Sequence, residues 1–98
     1  MSRVRFEFLG HIRTLAGERN SVVSLTGSDT PLRSVLRSTE ETHENLRLFE
    51  DERLLEGILV FRRKESGGLE RIDDLALPAL GNGKSEEEYV IATGMEGG

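Results

Sequence analysis

One stretch of this chain repeats its apolar residues at helical spacing, while most of its other apolar runs repeat at strand spacing. In "SDTPLRSVLRSTEE", Leu32, Val35 and Leu36 fall at i, i+3 and i+4. Asp29 or Thr30 can accept from the free amides of a helix start, and Pro31 suits the first helical position. The pattern predicts a core-facing helix of about ten to twelve residues. A single amphipathic helix cannot bury its apolar stripe on itself, so the remaining elements must form a sheet beneath it.

The strand signals are distributed to do this. Val4, Phe6 and Phe8 alternate with Arg3, Arg5 and Glu7, which predicts a strand with one buried face. The run Ser21 to Leu25 is short and β-branched and reads as the returning strand of a hairpin, joined to the first by a long connection, "GHIRTLAGERN", in which Gly10 and Gly17 mark a turn. After the helix, His43 to Leu55 has no clean period and reads as a loop with a helical turn. "GILVFRR" reads as a strand buried on both faces or nearly so, turning at Ser66-Gly67-Gly68 into the short run "LERI". "DDLALPALGNGKSEEE" reads as a linker with a short turn, and Glu88 to Thr93 as the last strand.

The order of elements predicts an α+β fold: a mixed sheet of four to five strands with one main helix packed across it. The final strand lies most economically beside the first, which is the ubiquitin-like β-grasp arrangement. A ferredoxin-like split fold needs a second helix of comparable length, and residues 43–55 support one only weakly. Residues 1–93 are expected to form a single domain, and residues 94–98 a flexible tail ending in Gly97-Gly98.

Composition narrows the chemistry. The chain has no cysteine, so disulfides, thiolate metal sites and a cysteine nucleophile are excluded. A net charge of −5 argues against a sequence-independent grip on nucleic acid. With no long apolar stretch the expectation is a cytoplasmic protein without membrane association. His11 and His43 lack paired ligands, so no metal site is expected, and both read as surface or loop histidines. Glu86-Glu87-Glu88 reads as a solvated approach to the last strand, and Asp73-Asp74 as turn chemistry. No nucleophile can be matched with a base, so the chain is not expected to be an enzyme.

"FEFLGHIRTLAG", with Phe8, Gly10, Arg13, Ala16 and Gly17, resembles the first strand and following loop of MoaD-type and ThiS-type sulfur carriers. The helix start "DTPLRSVLRS" and the closing Gly97-Gly98 are similar to the same proteins, to ubiquitin-related modifiers and to small archaeal modifier proteins. Met95 and Glu96 stand where many members carry Pro-Pro-Val-Ser or Pro-Pro-Val-Ala.

The resemblance implies a protein cosubstrate that binds no cofactor itself. An E1-like enzyme would adenylate the Gly98 carboxylate with ATP. The acyl-adenylate would then pass to sulfur, giving a thiocarboxylate for a biosynthetic enzyme of the molybdopterin or tRNA-thiolation type, or to the lysine of a target protein. Glycine at 97 and 98 has no Cβ to obstruct a narrow channel. The resemblance also suggests roles for side chains in the body. If the first and third strands were neighbours, Arg3, Arg5, Arg62 and Arg63 would gather on the sheet surface opposite the helix, balanced by Glu7 and Glu70, as a docking surface for the activating enzyme. Lys64 and Lys84, the only lysines, are the candidate conjugation acceptors. The rival reading is a β-grasp interaction module that never uses its terminus.

Overall fold

The computed structural model describes residues 2–27, 29–81 and 83–94. In chain order these form β1 (Ser2–Phe8), α1 (Gly10–Ala16), β2 (Asn20–Leu25), α2 (Leu32–Thr42), β3 (Phe49–Glu50), β4 (Arg53–Leu54), β5 (Ile58–Arg63), β6 (Leu69–Arg71) and β7 (Glu86–Thr93). The main sheet runs β2-β1-β7-β5-β6, with β1 and β7 parallel and the other pairs antiparallel. The final strand does lie beside the first, in the middle of the sheet. Among the described residues no helix is long and apolar enough to cross a membrane.

The inner face of the sheet makes the core. Val4, Phe6 and Phe8 from β1 and Tyr89 and Ile91 from β7 are buried against Leu32, Val35 and Leu36 of α2. At roughly 1.5–3 kcal/mol for each large apolar side chain removed from water, this layer is the main source of stability. The helix spans eleven residues, within the expected range, but its start is built differently from the sequence expectation. Pro31 is the N-cap and no side chain caps the helix. The free amides of Leu32 and Arg33 instead donate to the carbonyls of Leu77 and Leu75, at 2.8 and 3.0 Å. The expected linker thus serves as a backbone cap, with Leu75, Ala79 and Leu80 buried beneath it.

Three further expectations are corrected. The connection after β1 contains α1, whose Ile12, Leu15 and Ala16 sit at i, i+3 and i+4 and pack on the core. Gly17, at φ 79°, ends it with a left-handed cap donating to the Arg13 carbonyl. Residues 43–55 hold the small hairpin β3–β4, and the Glu40 carboxylate accepts from the amides of Leu48 and Phe49 at 2.7 and 3.0 Å. In β5 only Val60 is buried, because among the described residues no second layer covers the outer face of the sheet. The Gly67 turn forms as expected, with the Lys64 amide donating to the Gly68 carbonyl at 2.8 Å.

Candidate functional site

The candidate site is the outer face of the sheet and the point where the chain leaves it. Paired residues on neighbouring strands share a face, so the register decides which side chains meet. Arg3, Arg5 and Glu7 of β1 stand opposite Glu86, Glu88 and Val90 of β7 on the outer face. Phe61, opposite Val90, extends this face across β5, and alternation adds Leu59 and Arg63. Val90 is buried even here, flanked by Glu7 and Phe61.

This arrangement regroups the four arginines. The strands carrying them are not neighbours, since β7 runs between β1 and β5. Arg62 pairs with Tyr89 and so lies on the inner face at its rim, apart from the other three. There it donates to Glu70 at 2.6 Å, a bond that raises its guanidinium above the ordinary arginine value. On the outer face Arg3 binds Glu86 at 2.7 Å, and Arg63 bridges Glu7 at 3.0 Å and Glu88 at 3.6 Å. Arg5 is exposed and, of the four, the one without an ion-pair partner among the described residues. The face is a mosaic of balanced charge around an apolar strip, and not a basic patch.

Glu86, Glu87 and Glu88 are not uniformly solvated. Alternation along β7 splits them, and Glu87 turns inward, 7% exposed. Its carboxylate accepts the Gly81 amide at 3.1 Å and lies 3.7 Å from Lys84 Nζ. The in-phase spacing of Glu87 with Tyr89 and Ile91 was the signal for this burial. Asp74 does make the expected turn, accepting from the Ala76 amide at 3.0 Å. His43 lies just past the end of α2, outside helix and strand as expected, but it is not a surface histidine. Its ring is buried beside Phe8 and hydrogen-bonded to the Thr39 carbonyl at 2.7 Å and to Glu18.

Lys64 and Lys84, twenty positions apart, line one open groove of about 640 Å³ with Arg5, Arg63 and Glu65. Lys64 is exposed and has no ion pair among the described residues, whereas Lys84 lies 3.7 Å from both Glu65 and Glu87. Of the two, Lys64 offers the freer amine.

The chain leaves the sheet through Thr93 and Gly94. Thr93 pairs with Ile58, and the Gly94 amide donates to the Gly57 carbonyl at 2.7 Å. A Cβ at Gly94 would stand 2.5 Å from Leu59 Cδ1, so glycine allows the backbone to lie against that side chain. Gly97 and Gly98 lie outside the described residues. Glycine at 94 was not singled out by sequence reasoning, because its constraint comes from Leu59 on another strand.

A five-stranded mixed sheet with its last strand inserted parallel to its first, and a helix across one face, is a ubiquitin-like β-grasp fold. No protein-family model and no curated protein sequence matches the chain. Solved structures do. SAMP1 from Haloferax volcanii superposes with a TM-score of 0.77 at 20% identity, over 99% of this chain and 100% of that one. A second structure, of H. volcanii small archaeal modifier protein 1, gives 0.73 at 16% identity, over 97% of this chain and 100% of the other. The solution structure of the Haloferax volcanii HVO 2177 protein gives 0.72 at 22% identity, over 99% and 87%.

Proposed function

We propose that this chain is a ubiquitin-like carrier or modifier protein whose Gly98 carboxylate is activated by an E1-like enzyme. The observation that carries the reading is the exit geometry. β7 is the central strand, held by β1 and β5, and its end is fixed to Gly57 at Gly94, so the residues after it start from a rigid base. The fold shared with proteins named small archaeal modifiers supports it.

The chemistry is acyl transfer with the catalytic groups in the partner. A Gly98 carboxylate oxygen attacks the α-phosphorus of ATP, the bond to the bridging oxygen breaks, and pyrophosphate leaves. The resulting mixed anhydride makes AMP the leaving group in place of oxide. A lysine amine displacing AMP gives an isopeptide and releases a proton. A persulfide sulfur displacing AMP gives an acyl disulfide, which a thiol reduces to the thiocarboxylate. The domain's own contribution is presentation: a rigid body for docking and an unbranched end for delivery.

The test is incubation with ATP and an E1-like enzyme of demonstrated activity, followed by intact-mass measurement. An AMP adduct, or replacement of one oxygen by sulfur, is expected. One residue appended after Gly98 should abolish both. Full biological function with the appended residue would overturn the proposal in favour of a docking module that does not use its terminus.

A further inference from the structure

The sheet ends in two edges of different character. β6 is three residues long, whereas β2 presents six, Asn20-Ser21-Val22-Val23-Ser24-Leu25, without a charge, a proline or a lysine. Edge strands are ordinarily protected by those devices, because an open row of amides and carbonyls is a template for another strand. In a chain that is 32% charged, an uncharged edge of this length is itself an observation.

The ladder determines which groups face outward. The Phe8 amide donates to the Arg19 carbonyl at 2.8 Å, so Phe8 opposite Arg19 is a hydrogen-bonded position. Hydrogen-bonded and non-hydrogen-bonded positions alternate along an antiparallel pair. Phe6 with Ser21 and Val4 with Val23 are therefore bonded positions, and Glu7 with Asn20, Arg5 with Val22 and Arg3 with Ser24 are not. The backbone groups of Asn20, Val22 and Ser24 point away from β1 to the open edge. Among the described residues none of them takes a partner there. The Val22 side chain, on the outer face, is 53% exposed.

We infer that this edge pairs with β2 of a second copy of the chain, antiparallel, about a two-fold axis through Val22. Outward-facing groups can bond only to outward-facing groups, which restricts the register to even sums of residue numbers. Centring on Val22 engages all three residues: Asn20 opposite the second copy's Ser24, Val22 opposite its own copy, and Ser24 opposite the second copy's Asn20. Each of these pairs exchanges two backbone hydrogen bonds, and the two sheets become one. The same register puts the exposed Val22 side chains against each other and sets no like charges opposite. Arg19 faces the second copy's Leu25, and Glu18 its Thr26. A contact confined to one strand edge is smaller than the interface of a permanent dimer, so the association is weak and depends on concentration.

The test is sedimentation of the full chain over a concentration series, with amide exchange read at both ends. Wild type should pass from monomer to dimer. The amides of Asn20, Val22 and Ser24 should gain protection as it does, while Ser21, Val23 and Leu25, already bonded to β1, should not change. Val22→Pro removes only an outward amide, which an edge strand tolerates, and should leave a folded monomer at every concentration. Val22→Lys on the exposed outer face should do the same if proline disturbs the strand. A wild type that stays monomeric throughout overturns the inference, leaving the edge to a foreign strand or to none. Association that survives both variants overturns it equally, because another surface then carries it.

Discussion

An ordinary tyrosine ionises near pH 10, and the surroundings of Tyr89 oppose that. The ring is 2% exposed, stacks on Phe6 at 5.7 Å between centroids, and its hydroxyl donates to the Ala79 carbonyl at 2.5 Å. Burial is the largest cause of the shift, the negative Glu87 adds to it and Arg62 opposes it, and together they push the phenol up from 10.0 to about 12. Two units at ~1.36 kcal/mol each amount to about 2.7 kcal/mol. The sign follows from the direction. A phenol whose folded value lies above its unfolded value contributes stability that is complete below pH 10 and is lost as the pH rises through about 12. Denaturant unfolding of wild type and Tyr89→Phe over this range isolates the contribution, since lysine and arginine titration is common to both. Below pH 10 the variant should be less stable by about 1–3 kcal/mol, because the Ala79 carbonyl loses its donor. By pH 12 and above, that gap should shrink by about 2–3 kcal/mol. The chain has one tyrosine and no tryptophan, so tyrosinate absorbance reports this group alone. An absorbance midpoint at the ordinary value with an unchanging gap would refute the reasoning.

Glu40→Ala should cost about 2–3 kcal/mol in thermal or chemical unfolding, because two backbone amides at Leu48 and Phe49 lose one shared acceptor; Glu40→Gln, which keeps an oxygen, should cost less. Gly94→Ala should cost less than about 1 kcal/mol, because the clashing Leu59 Cδ1 is the end of a half-buried side chain that can turn aside, and adding Leu59→Ala should remove even that, a coupling that a double-mutant cycle reads directly. Arg63→Glu would set a third acid between Glu7 and Glu88 and should destabilise the fold by only about 1 kcal/mol, as these pairs are partly solvated. If the outer face docks the activating enzyme, the same change should slow adenylation about tenfold at low salt, and an unchanged rate would remove this face from the proposed function.

Where an element's environment was set by its own residues, the sequence revealed it. The alternation of Val4, Phe6 and Phe8 and the helical spacing of Leu32, Val35 and Leu36 each identify a buried face before any partner is known. The short helix after β1 was legible by the same test in Ile12, Leu15 and Ala16, but Gly10 at its start and Gly17 just past its end favoured reading a turn. The outer-face position of Arg63 and the inner-face position of Arg62 follow from parity along one strand, whereas their acidic partners depend on which strands are neighbours.

The chain's own order of strand, helix and turn signals therefore determined the fold class and the buried residues of β1 and α2. Tertiary structure alone decided that Leu75 and Leu77 cap the main helix, that β7 separates the arginines of β1 from those of β5, that the buried Glu87 finds its partners in Gly81 and Lys84, and that residue 94 lies against Leu59. The physical reason is the range of the interactions. Propensity and periodicity act over a few neighbouring residues, but a hydrogen bond, an ion pair or a steric clash between distant segments exists only once the sheet has brought them within a few ångströms.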